Sequence, residues 1–153
     1  MRPETWRIES DPSTRATIAI DGSETRLSYA LGGGEPRGQY VALATGAAGN
    51  LPLERIELVL RSAQPMRVSV QIRTPGGTDG HRWRRSFYVD STPRPITVRL
   101  SELEPVEPAS TLRPTAATVQ SVLLVVDTVN ARPGASGELV VVGARLVPGR
   151  AGK

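Results

Sequence analysis

Met66-Arg67-Val68-Ser69-Val70-Gln71-Ile72-Arg73, a Gly-rich turn, then Arg82-Trp83-Arg84-Arg85-Ser86-Phe87-Tyr88-Val89: the reading of this stretch decides the fold. In its first half Met66, Val68, Val70 and Ile72 alternate with Arg67, Ser69, Gln71 and Arg73. Successive side chains of a strand point to opposite faces, so this period of two predicts a strand with one buried face and one polar face. The second half puts Trp83, Arg85, Phe87 and Val89 on one side and Arg82, Arg84, Ser86 and Tyr88 on the other. Pro75-Gly76-Gly77 and Asp79-Gly80 supply the turn. Paired as a hairpin, the strands bring four arginines (Arg67, Arg73, Arg82 and Arg84), Gln71 and Tyr88 onto one face.

The same alternation spreads outward. Residues 54–61 set Ile56, Leu58 and Leu60 against Arg55, Glu57, Val59 and Arg61. Residues 14–20 and 25–31 flank the hairpin-type turn Asp21-Gly22-Ser23, residues 39–45 predict a further strand ended by Gly46 to Gly49, and residues 96–100 a short one. Residues 119–128 are apolar on both faces, which predicts a central, covered strand; 137–147 closes the series. Pro105, Pro108 and Pro114 make Glu102 to Thr118 an irregular connection. No segment keeps a capped 3.6-residue period. About nine or ten strands, with turn signals roughly every 8–15 residues, predict an all-β, two-sheet antiparallel sandwich. One domain is expected over 1–147, with 148–153 as a linker or frayed tail.

A chain of 153 residues suits one domain. It carries 19 basic against 15 acidic side chains, a net charge of +4, and Lys153 is its only lysine, leaving 18 arginines. That skew reflects either coding background or an arginine-lined surface for carboxylate, phosphate or sulfate groups, which a planar guanidinium grips in pairs of hydrogen bonds. The absence of cysteine excludes disulfides, thiol nucleophiles and thiolate metal sites. His81, the single histidine, would have to be the base of any Ser-His-Asp triad, with Asp79 to orient it, yet no Gly-x-Ser-x-Gly is present; no enzyme is expected. His81 is a surface loop residue on this reading, or a hydrogen-bonding group for a ligand. No helix-turn-helix, zinc-finger or RNP motif points to nucleic acid. The longest apolar run, Val122 to Val126, is far too short to span a membrane. Met1 to Trp6 lacks the apolar core of a signal peptide, so a domain cut from a longer protein is expected.

The order of these features, a strand Met66 to Arg73, a Trp-bearing strand at Arg82 to Tyr88, a strand ending Val126-Asp127-Thr128 and a last strand Gly137 to Gly143, resembles the galactose-binding-like jelly-roll superfamily. That group includes carbohydrate-binding modules and complex I intermediate-associated protein-like domains. The resemblance covers roughly residues 5–147 and implies a jelly-roll sandwich that binds saccharide on a concave sheet or at end loops. It also implies an extracellular or periplasmic setting, a frequent structural calcium ion and, in some members, docking or assembly instead of sugar binding.

The function expected is therefore a non-catalytic carbohydrate-binding module for an acidic or otherwise anionic saccharide, attached to other domains of a larger parent protein. The alternative is a protein–protein docking domain with no sugar ligand. The expected ligand-binding residues are Arg67, Gln71, Arg73, Arg82, Arg84 and Tyr88. The arginines would contact carboxylates or hydroxyl pairs, Gln71 would bridge hydroxyls, and Tyr88 would stack or donate. A solvated face is the plainer reading, in which arginine stems cover apolar surface. Because neighbouring arginines repel, an intervening anion is expected, and Glu57 or Asp127 could supply it. Trp83 is expected in the core, Tyr88 and Tyr40 outward. Glu9 and Asp11 are candidate calcium ligands, with a turn or cap role the alternative for Asp11 and for Asp21.

Overall fold

The computed structural model describes residues 5–33, 38–46, 53–74, 81–106 and 119–149. The strands are β1 (Arg7–Ser10), β2 (Arg15–Asp21), β3 (Glu24–Ala30), β4 (Tyr40–Gly46), β5 (Leu53–Ser62), β6 (Met66–Thr74), β7 (His81–Val89), β8 (Arg94–Arg99), β9 (Glu104–Pro105), β10 (Ser121–Asp127) and β11 (Ser136–Pro148), with a 3₁₀ turn at Leu100–Glu102. They form two antiparallel sheets, one of six strands in the order β1-β4-β10-β6-β7-β9 and one of five in the order β2-β3-β11-β5-β8. The all-β sandwich read from the alternation is what forms.

Alternation explains the packing. Val68, Val70 and Ile72 of β6, Val122, Leu124 and Val126 of β10 and Val41 and Leu43 of β4 turn inward from the six-stranded sheet. They meet Leu27 of β3, Leu139 and Val141 of β11, and Ile56, Leu58 and Leu60 of β5. Burying each such side chain contributes about 1.5–3 kcal/mol, so this layer outweighs any surface pairing in holding the sheets together. Strand β10 is central, between β4 and β6, and buried along Ser121–Val126.

Three sequence expectations change. The chain has eleven described strands, because the two-residue β9 carries no periodic signal. Glu57 does not lie beside β6: β5 crosses to the other sheet and pairs with β11 and β8. Arg85, on the Trp83 side of β7, is exposed. β7 has only β9 beyond it, so at this edge Arg85 reaches outward to Glu102 at 2.6 Å. Gly46 closes β4, while the expected turn at 75–80, the prolines Pro108 and Pro114, Gly49 and the tail from residue 150 lie outside the described residues.

Candidate functional site

The hairpin forms in the register the alternation requires: Arg67 opposite Tyr88, Ser69 opposite Ser86, Gln71 opposite Arg84 and Arg73 opposite Arg82. Strand β10 continues the face, with Ser121 beside Arg73, Leu123 beside Gln71 and Val125 beside Ser69; β4 adds Ala42 and Ala44, and β1 adds Arg7 and Glu9. The outer face of the six-stranded sheet thus has a buried centre, Ala42, Ala44, Leu123 and Val125 with Tyr40 packed against it. Polar side chains stand around this centre.

All six expected binders lie on this face, in different states. Arg67 donates to Ser86, from Nε to Oγ at 2.9 Å and from Nη2 to the carbonyl at 3.2 Å. Arg73 is paired with Glu9 at 2.9 Å, and that hydrogen bond, against the cost of burial, holds the Glu9 carboxyl below its ordinary range, with help from Arg7. Tyr88 is exposed, but the Arg94 guanidinium covers one side of its ring at 5.1 Å from the centroid, so one side remains for stacking. Gln71 is only 2% exposed; its Nε2 donates to Ser69 Oγ at 3.1 Å, and its Oε1 has no hydrogen-bond partner among the described residues. Leaving a buried amide oxygen unpaired costs about 1–3 kcal/mol. Arg82 and Arg84 make no ion pair among the described residues.

Glu104 of β9 stands opposite Arg84 in register, and Asp127, at the end of β10, feels the charge of both arginines. Burial pushes the Asp127 carboxyl above the ordinary carboxylate range, while the backbone N–H groups of Val129 and Asn130 and the charges of Arg84 and Arg82 pull it back. The sequence named Asp127 as a possible intervening anion. It did not single out a recess of about 470 Å³ lined by Ser69, Ser86, Arg84, the paired Arg85 and Glu102, Glu104 and, just beyond Asp127 in the chain, Val129 and Asn130. Two short connections distant in sequence build that recess, and neither has a periodic pattern. His81 opens β7 opposite Thr74 and by alternation falls on the Trp83 side of the strand, off this face.

Glu9 and Asp11 do not join in a cation site. Two guanidinium groups face Glu9. Asp11 accepts from the hydroxyls of Ser13 and Thr14 and, at 2.8 Å, from the Tyr40 N–H, contacts that outweigh its desolvation and bring its carboxyl down to about 2. This donor set is a salt bridge and a turn cap, whereas calcium wants several unprotonated oxygens free to converge. Among the described residues no three acidic or histidine side chains gather as metal ligands.

No family model matches the sequence, and no curated protein does. Solved structures do match. The family 11 carbohydrate-binding module of the cellulosomal cellulase Lic26A-Cel5E of Clostridium thermocellum superposes with a TM-score of 0.69 at 17% identity, over 95% of this chain and 88% of that one. The family 11 module from Clostridium thermocellum in complex with a β-1,3-1,4-mixed-linked tetrasaccharide gives 0.71 at 16% identity, over 94% and 89%. An agarase gives 0.60 at 8% identity, over 97% of this chain but 23% of its own. Topology and superposition agree: the chain has the two-sheet jelly-roll sandwich fold of these solved carbohydrate-binding modules.

Proposed function

We propose that the chain is a non-catalytic carbohydrate-binding module and that its ligand lies on the outer face of the six-stranded sheet. The observation that carries this reading is the pairing of Arg84, which makes no ion pair within 4 Å among the described residues although Glu104 stands opposite it on β9, with the buried, half-satisfied amide of Gln71 on its other side. Planar donors beside an unused acceptor suit the hydroxyl pairs of a sugar. Arg82 and Arg84 side by side favour a saccharide bearing carboxylate or sulfate, because an anion between them relieves their repulsion. Arg67, Arg73 and Tyr88 flank that centre. The match to a module solved with a tetrasaccharide supports the ligand class, and the match to a quarter of an agarase chain supports attachment to a larger protein.

Isothermal titration against a mixed-linked β-glucan, a polyuronate and a sulfated galactan, at low and high salt, tests this. Binding that is tightest for a charged polymer and weakens with salt is expected. Binding to none of these glycans overturns the reading and leaves protein docking as the function of the face. Binding untouched by Arg82→Ala with Arg84→Ala overturns the site.

A further inference from the structure

Each sheet ends in two edge strands, and three of the four are blunted. β1 is four residues long and carries Arg7 and Glu9; β9 is two residues long and ends in Pro105; β8 begins Arg94-Pro95. Short length, charge and proline are the usual devices that stop a sheet edge from pairing. β2 has none of them along its middle. Its seven residues, Arg15-Ala16-Thr17-Ile18-Ala19-Ile20-Asp21, contain no proline or lysine, and Ile20 is 53% exposed.

The β2–β3 turn shows which backbone groups are open. It is a two-residue loop, Gly22-Ser23, with Gly22 at φ +62°, and Asp21 pairs with Glu24. A two-residue hairpin closes on a hydrogen-bonded pair, so Asp21, Ala19, Thr17 and Arg15 direct their N–H and C=O groups to β3. Those of Ala16, Ile18 and Ile20 point to the open edge.

We propose that this edge is the contact surface for a second copy of the chain, β2 against β2, antiparallel, about a two-fold axis through Ile18. In that register Ala16 of one copy faces Ile20 of the other, and Ile18 faces Ile18; the open backbone groups fall on hydrogen-bonded pairs. Arg15 of each copy stands opposite Asp21 of the other, so two ion pairs lock the ends. A parallel alignment would set Arg15 against Arg15 and Asp21 against Asp21. The strand is thus complementary in charge to itself only in the antiparallel sense, which is the isologous geometry of a two-fold dimer. The contact also covers Ile20.

Sedimentation velocity on the full chain without saccharide, over a concentration series, tests the proposal independently of any glycan result. A reversible dimer is expected. Ile20→Lys, at an exposed side chain, raises the dimer Kd at least about tenfold while the melting temperature of the monomer holds. Arg15→Asp and Asp21→Arg each weaken the dimer, and together they restore it. A wild-type chain that stays monomeric up to millimolar concentration, a dimer indifferent to Ile20→Lys, or a double exchange that fails to restore association overturns the proposal.

Discussion

The outer faces of the two sheets use arginine in opposite ways. On the five-stranded sheet Arg26, Arg55, Arg61, Arg99 and Arg145 each stand within 4 Å of a glutamate: Arg26 at 3.5 Å from Glu138, Arg55 at 2.9 Å and Arg145 at 3.4 Å from Glu57, Arg61 at 2.9 Å from Glu24, and Arg99 at 3.4 Å from Glu54. Beneath them Val140, between Arg26 and Arg61 in register, is fully buried on the solvent side of its sheet. Across β3, β11, β5 and β8 this is an ionic coat, with guanidinium stems serving as cover; Arg15, on the edge strand β2, stands outside it. On the six-stranded sheet Glu9 engages Arg7 and Arg73, while Arg82 and Arg84 have no such partner among the described residues. Charge that is neutralised locally serves the surface; the charge left over is what the proposed ligand would meet. The total of +4 conceals this difference, since both faces draw on the same residue type.

The largest expected effect breaks the comparison at its open end. Arg82→Ala with Arg84→Ala should weaken glycan binding by about a hundredfold, two charge-assisted contacts being worth about 3 kcal/mol together, with little change in melting temperature; titration and calorimetry read both. Next, Gln71→Leu removes an unpaired buried acceptor. Stability should rise by about 1 kcal/mol, seen in urea unfolding, while affinity falls.

Glu9→Gln sharpens the contrast by freeing Arg73 and Arg7. Affinity for an anionic polymer should increase a few-fold, at a cost in stability of about 1 kcal/mol or less. The Glu9 carboxyl is held below 4.5 in the folded chain, so its contribution is present above that pH. It is lost as pH falls through the depressed value, and the Glu9→Gln variant should lack this acid-side slope in its unfolding free energy. Smallest is Glu57→Gln on the coated face, which loosens Arg55 and Arg145. A loss of about 0.5 kcal/mol that shrinks in high salt, with no effect on binding, would confirm that this face is only a surface.

Much of this was legible in the sequence because alternation is a local signal. Met66–Arg73 and Arg82–Val89 stated their own faces, and their register then followed from keeping Val68, Val70 and Ile72 inside, since a slip of one residue would turn every arginine inward. Glu57 was misplaced because its strand reads the same in either sheet; the crossover that sends β5 away from β6 leaves no mark on alternation. The depth of Gln71 was hidden for a related reason: it depends on Leu123 of β10, about fifty positions along the chain. Arg85 escaped the pattern because β7 lies next to the sheet edge, where the side chain reaches Glu102 in the turn before β9. The recess at Asn130 depends on loop placement that no period encodes.

Strand β10 lies under the proposed ligand face and above the core, with Ser121 to Val126 buried and hydrogen-bonded neighbours on both sides. Its amides can meet solvent only when the whole sandwich opens, so their exchange with deuterium should be the slowest in the molecule and should report the global unfolding free energy. The floor under the arginines is therefore ordered before a ligand arrives. If the proposed site is right, affinity should carry little entropic penalty from the backbone of β10.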